Sequence, residues 1–462
     1  MIEPVNKSKR FWLLSIPVLL LIATSLPTLL LGYDTEVVIG FIHPFMFGKV
    51  SLNFFTNLAS GTPMQFVNYT AFRPLYYLNF NLDYLLYGAN IFFYRLENVL
   101  WLGLVWLLLW RLAGKLGMHD GGRLAMGLAF AVHPAHVFMM QAIFSRTDLV
   151  AAVFIGAVIN LFLSGTGHGK RTWQYWTSLG FFALSFLWKE LFLIIPLLLL
   201  LLDLGAKWTV GSTGKRLLFH LPYWIVAGLA IIMQLALTGT LGYSRGDAEV
   251  SQAVWGFLPQ LISFLNALWG LDGWGIAWLG AALTLLLFII GPWGKLRFAL
   301  IFTILLLVPY LIVWSSFMHV FLASLGLALW SGFLLDWLCR KNRLLWIIPV
   351  AALAVFLIVS WARLYADDLP QQLHTGNRIS RVVEFVHREY PQPPAGAVFT
   401  LAQNEWVQSG DVRKVLLRAN YILQVLYRRD DVYIVPQRMA TSEFLPVETT
   451  RIEVHLPDHI VK

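Results

Sequence analysis

Apolar runs long enough to cross a bilayer recur along the chain, at residues 11–31, 93–114, 122–141, 148–164, 218–240, 273–291, 298–315, 318–338 and 344–361. Each is close to the roughly 20 residues that a helix needs to span a hydrocarbon core of about 30 Å. The run from Trp173 to Leu202 is too long for one perpendicular span, since about 30 residues of helix would measure about 45 Å, and Lys189-Glu190 interrupts it. Two short helices turning at Lys189-Glu190 fit this pattern better than a single span. The segment Val254 to Leu271 contains Pro259, Gln260, Ser263 and Asn266 and is flanked by Trp255 and Trp269, which predicts an interfacial or cavity-lining helix. The sum is an α-helical polytopic membrane protein of about eleven membrane-crossing helices.

Two stretches break the apolar rhythm. Residues 32–92 form a long loop between the first two spans. Connections of that length are uncommon unless they bind or catalyse, so the apolar segments are read as its scaffold. Beyond Trp361 the composition becomes that of a soluble protein. Ile379, Val382, Val383 and Val386 recur at helical spacing, as do Val412, Val415, Leu416, Ile422 and Leu426. Ala397 to Leu401, Asp431 to Pro436 and Ile452 to Leu456 have strand character. The chain therefore divides into a transmembrane domain, 1–365, and a small α/β domain, 366–462.

Composition agrees with the pattern. The 462 residues are 58% hydrophobic and 13% charged, with a mean hydropathy of +0.67, which excludes a soluble protein. The net charge of +9 comes largely from Lys and Arg in short loops, where they set orientation and do not imply a nucleic-acid partner. With Lys7, Lys9 and Arg10 inside, the loop 32–92 lies outside and Lys115, Arg123, Lys170 and Arg171 lie inside. The hairpin reading returns Lys207, Lys215 and Arg216 to the inside, with Ser145 to Asp148, His319 and the C-terminal domain outside. The first apolar segment is too long for a signal-peptide core and shows no small-residue cleavage site, so it is kept as a span. One cysteine, Cys339, excludes an intramolecular disulfide and thiolate-zinc chemistry.

Polar residues at the outer side are the candidates for chemistry. Asp34 and Glu36 follow the first span directly, where an aqueous face meets a lipid-facing cavity; the alternative is a solvated pair of loop carboxylates. Arg73 is held by the following Pro74. Arg146 and Asp148 open a helix, where Asp148 also suits the helix dipole. Lys189 and Glu190 need a partner or an aqueous cavity, because a charge at mid-membrane costs about 2.5–3.5 kcal/mol. His133 and His136 lie three apart on one helical face, which permits a metal geometrically, but no third ligand is evident nearby. Pro134 favours a kinked helix whose imidazoles satisfy freed backbone groups.

Taken in order, Phe72-Arg73-Pro74-Leu75, Leu82-Asp83-Tyr84, Leu86-Tyr87-Gly88, Tyr94, Asn98, His133-Pro134-Ala135-His136, Ser145-Arg146-Thr147-Asp148 and Lys189-Glu190 resemble the membrane part of the tetratricopeptide-containing transmembrane O-mannosyltransferases. The similarity extends to their bacterial relatives in the GT-C class of polyprenyl-phosphate-sugar glycosyltransferases, and covers roughly residues 10–340. The tetratricopeptide repeats are replaced here by the α/β domain, and Met318-His319 stands where relatives tend to carry an Arg.

The resemblance implies a GT-C-like fold in a bacterial inner membrane. It implies a polyprenyl-phosphate sugar donor, an extracytoplasmic acceptor and transfer with inversion. No cofactor is implied, and a metal requirement stays open. Asp34 matches the family's catalytic acid, with Glu36 as its neighbour. Arg73, Arg146, Lys189 and His319 are the candidates for the donor phosphate, while His133, His136, Asp148 and Glu190 line or support the cavity. Two other readings stand beside this one: a lipid-linked-glycan transporter, and a non-catalytic assembly protein of the same fold. Against the transporter, the sequence shows no inverted repeat and its charged residues collect on one face.

Overall fold

A computed structural model describes residues 7–29, 73–88, 90–166, 171–189, 194–206, 213–238, 257–268, 295–308, 317–341, 369–401, 432–436 and 450–455, with the single positions 282, 362, 423, 426 and 427. Among the described residues the helices are α1 Lys7–Leu29, α2 Pro74–Tyr87, α3 Ile91–Lys115, α4 Asp120–Ala131, α5 Pro134–Gln141, α6 Arg146–Gly165 and α7 Trp173–Ser185. They continue with α8 Ile195–Ala206, α9 Thr213–Thr238, α10 Phe257–Leu268, α11 Lys295–Leu307, α12 Phe317–Lys341 and α13 Leu369–Glu389. Four are long and apolar enough to cross a membrane, within α3, α6, α9 and α12, and a fifth span results if the bent pair α4 and α5 is counted as one. The protein is an integral membrane protein. The expected spans 273–291 and 344–361 lie outside the described residues.

The core of the bundle follows from helical periodicity. In α3, Tyr94, Asn98, Leu102, Val105, Trp106, Leu109 and Leu112 are buried, a stripe three to four residues apart. It packs against α6, whose buried positions include Leu149, Ala152, Ile155, Ile159 and Phe162. The two helices are parallel: Asn98 near the start of α3 meets Arg146 at the start of α6, at 2.9 Å. At the other end, Lys115 of α3 donates to the Asn160 carbonyl of α6 at 2.5 Å. Glycines set the closest approach elsewhere. A Cβ on Gly122 of α4 would sit 2.7 Å from the Gly332 carbonyl of α12, and the reverse holds for Gly332. Small residues of this kind let membrane helices pack backbone to backbone.

Two sequence expectations are corrected in detail. The run 122–141 is two helices bent by 54°, because Pro134 takes the first position of α5 and His133 caps it. A proline N–H is missing anyway, so a helix starts there at little cost. The expected loop 32–92 contains α2, which presents Tyr76, Phe80 and Asp83 inward and leaves Leu78, Leu82, Leu85 and Leu86 exposed. Its two faces suit a helix lying between the protein and lipid.

The run 173–202 is two helices running in opposite directions. Tyr175 near the start of α7 donates to the Phe219 carbonyl of α9 at 2.7 Å. Asp203 near the end of α8 lies 3.2 Å from the ring of His220, also in α9. The chain therefore leaves and returns to one level of the bundle, turning in between near Lys189.

The C-terminal part has its own core of Ile379, Val382, Val383, Val386, Phe399, Ile434 and Val454. Among the described residues its strands are β1 Ala397–Leu401, β2 Tyr433–Pro436 and β3 Thr450–Val454, which form a parallel sheet in the order β2-β1-β3. The last two expected strands are shifted by two residues at their starts, with β3 beginning at Thr450 because its pairing with Ala397 begins there. Tyr427 fastens this unit to the end of α13, donating to the Tyr390 carbonyl at 2.7 Å. Burial pushes its phenol up to about 12.

Candidate active site

The middle of α2 and the starts of α3 and α6 meet around one guanidinium. The Arg146 side chain is fully buried. Its Nε donates to Asn98 Oδ1 at 2.9 Å, and its Nη2 to the Tyr94 carbonyl at 2.9 Å. Nη1 donates to Asn79 Oδ1 at 3.0 Å, pairs with Asp83 and lies 3.1 Å from Glu97 Oε2. The guanidinium also lies over the Phe80 ring, 4.8 Å from its centroid. Asn79 donates to both carboxylates at 3.3 Å. Two acids thus face one buried cation, an excess of negative charge that Asn79 and Trp101 Nε1, 3.1 Å from Glu97, help to absorb. Burial pushes the Asp83 carboxyl from 3.8 up to about 7 against the pull of Arg146, with Glu97 acting in the same direction as burial.

A second ion pair stands beside the first. Lys189 Nζ donates to Asp148 Oδ1 at 2.7 Å, with both side chains buried. Asp148 lies two residues after Arg146 in the first turn of α6. The turn that carries Lys189 is bound to α2, since Leu75 N donates to the Leu187 carbonyl at 2.9 Å and Tyr76 packs edge-on to Trp188 at 6.0 Å. Arg73, half-buried, occupies the N-cap position of α2 directly before Pro74. Arg73, Arg146, Asp148 and Lys189 are therefore gathered at one end of the bundle.

His133 and His136 are used by the scaffold. His133 Nδ1 accepts from the Ala135 amide at 3.2 Å, so the ring proton is on Nε2, which donates to the Leu268 carbonyl of α10 at 2.8 Å. His136 Nε2 lies 2.9 Å from Ser324 Oγ of α12. That hydroxyl donates to the Phe321 carbonyl at 2.6 Å, so it accepts from the imidazole. The two rings thus tie α5 to α10 and α12, which accounts for polar groups at a helix break inside a membrane.

Asp34, Glu36 and Glu190 lie outside the described residues, and so does the His319 side chain, although His319 belongs to the first turn of α12. Sequence reasoning did not assign Asn79, Asp83, Glu97 or Asn98 to the site. The signal was present: Asn79 and Asp83 are four apart in α2, and Glu97 is an acid at the start of an apolar span. Asp203 and His220, both fully buried, were missed in the same way.

No family model matches the chain. Over 128 residues it is 34% identical to Protein O-mannosyl-transferase TMTC2 of Mus musculus, and equally to that of Homo sapiens, a stretch covering 27% of this chain and 15% of each relative. Protein O-mannosyl-transferase TMTC3 of Homo sapiens is 32% identical over 125 residues, 27% of this chain and 13% of that protein. The chain thus covers a small part of the length of these relatives. Among solved structures it is similar to the oligosaccharyltransferase of Archaeoglobus fulgidus in the apo form, with a TM-score of 0.40 and 11% identity, over 93% of this chain and 65% of that one.

Proposed function

We propose that the protein is an integral-membrane glycosyltransferase of GT-C type that takes a sugar from a polyprenyl-phosphate carrier and passes it to an acceptor on the outer face of the membrane. The observation that carries this reading is the gathering of Arg73, Lys189, Asp148 and Arg146 at one end of the bundle, directly after the loop that bears Asp34 and Glu36. Likeness to O-mannosyl-transferases over 128 residues supports the same class of chemistry.

In the reaction, an acceptor hydroxyl oxygen attacks the anomeric carbon while the bond from that carbon to the phosphate oxygen breaks. The acceptor proton passes to Asp34, with Glu36 beside it, and the electron pair leaves with the lipid phosphate. A single displacement inverts the anomeric centre. Lys189, Arg73 and His319 stabilise the departing phosphate. Arg146 acts from behind them, since its side chain is enclosed by Asp83, Glu97 and the two asparagines. It fixes the positions of α2 and α6 on either side of the Lys189 turn.

Turnover of the purified protein with a panel of polyprenyl-phosphate sugars, followed by release of the lipid phosphate, tests this reading. Release with at least one sugar, dependent on an acceptor, is expected. Absence of release with every sugar, together with movement of intact lipid-linked sugar across a vesicle, would establish the transporter in its place.

A further inference from the structure

At the end of the bundle opposite Arg146, α3, α4 and α6 enclose an open groove of about 770 Å³. Its polar rim carries three cations, Arg111, Lys115 and Arg123, and the indole of Trp110; its wall is Leu108, Ala157 and Leu161. We propose that this groove binds the headgroup of an anionic phospholipid, with the acyl chains running along the apolar wall.

The charge balance points to an anion. Arg111 and Lys115 lie four apart on one face of α3, where like charges repel. Arg123 is the only one of the three with a carboxylate in range among the described residues, Asp120 at 4.0 Å. Arg111 is exposed and has no hydrogen-bond or ion-pair partner among the described residues.

The groove is also built to hold two of these cations, Lys115 and Arg123, in place. Lys115 donates to the Asn160 carbonyl at 2.5 Å and to the Ser164 hydroxyl. Arg123 Nε donates to the Met118 carbonyl at 3.1 Å, and its guanidinium stacks over Trp110, 5.7 Å from the ring centroid. Gly114 makes room for that guanidinium, which a Cβ would strike. Fixed cations beside an indole, at the end of two spanning helices, match the level at which phospholipid headgroups lie. The apolar wall distinguishes a lipid from a free phosphate, which would leave Leu108, Ala157 and Leu161 uncovered.

Native mass spectrometry of the full-length protein in detergent provides the test, using phosphatidylglycerol and phosphatidylcholine with identical acyl chains. Phosphatidylglycerol is expected to bind preferentially. Arg111→Gln should weaken it about fivefold, and the Arg111→Gln/Arg123→Gln pair about thirtyfold. Arg111 has no partner among the described residues, so the single variant keeps the test valid if the double variant fails to fold. Ala157→Phe, which fills the wall and leaves the charge untouched, should also lower binding. Equal binding of the two lipids, wild-type binding by Arg111→Gln, or displacement of the lipid by an equal concentration of inorganic phosphate would each overturn the proposal.

Discussion

At the scale of single residues, Arg146 and Asp34 make opposite predictions. Arg146 is fully enclosed and faces two carboxylates. Arg146→Met leaves both acids without their cation and should lower stability by about 3–5 kcal/mol, read from unfolding in detergent. Asp83 adds a pH dependence. Its folded value of about 7 exceeds 3.8, so the folded protein holds this proton more tightly than the unfolded chain does. Its contribution is present at low pH and is lost as pH rises through about 7. Asp83→Asn should flatten stability across that window; an unchanged slope would reject the assignment.

Asp34→Asn, in contrast, should leave expression and folding nearly intact and reduce sugar transfer by about 10²- to 10⁴-fold. Glu36→Gln separates base from bystander, as only one of the two variants should be nearly inactive. Wild-type turnover in both would move the catalytic centre elsewhere. The sequence made Arg146 and Lys189 visible because each is a charge near apolar runs. It left the partners of Arg146, Asp83 and Glu97, unassigned, because an acid in a loop helix or at the margin of a span looks solvated until the helices are packed together.

At the scale of elements, the helix contacts depend on residues that carry little sequence signal. Gly122 and Gly332 face each other so closely that each Cβ would sit 2.7 Å from the other's carbonyl oxygen. Gly332→Leu should therefore separate α4 from α12 and lower the melting temperature, whereas the same change at Gly103, where nothing lies within 4 Å of a Cβ, should have little effect. Equal effects at both positions would refute close packing as the reason for Gly332. Hydropathy finds where helices lie but not how they bend. The interruption at Lys189-Glu190 was legible because it is charged, and the break at His133-Pro134 was legible as a kink, though not as a 54° turn between two helices. α2 was hidden inside the long loop because its outward face is leucine-rich and its inward face aromatic, so no single periodicity stands out.

At the scale of the whole molecule, the two ends of the bundle differ in charge. Lys115, Arg111, Arg123 and Asp120 gather at one end, and the Arg146 and Lys189 ion pairs at the other. With the Lys- and Arg-rich end in the cytoplasm, 32–92 and 366–462 are expected to face the same, extracytoplasmic side. Single cysteines introduced into each region after replacement of Cys339 test this with a membrane-impermeant reagent, and labelling from opposite faces would defeat it. The distribution of Lys and Arg was fully readable in the sequence, while the division of labour between the two ends required the parallel pairing of α3 with α6.

The Lys189–Asp148 pair also bears on how the protein is made. In the proposed orientation the tip between α7 and α8 must be carried across the bilayer during synthesis, with an ammonium whose passage costs about 2.5–3.5 kcal/mol on insertion scales. α6 leaves the ribosome before α7, so Asp148 is already in place at the far side when Lys189 arrives, and pairing at 2.7 Å favours a completed crossing. Asp148→Asn should then raise the fraction of nascent chains whose hairpin tip stays in the cytosol, measured with a reporter placed beside Lys189. Asp148→Asn/Lys189→Met should restore crossing, because the second change removes the charge that had to be moved. A biosynthetic checkpoint would thus reside in a contact that, in the finished protein, looks like ordinary packing.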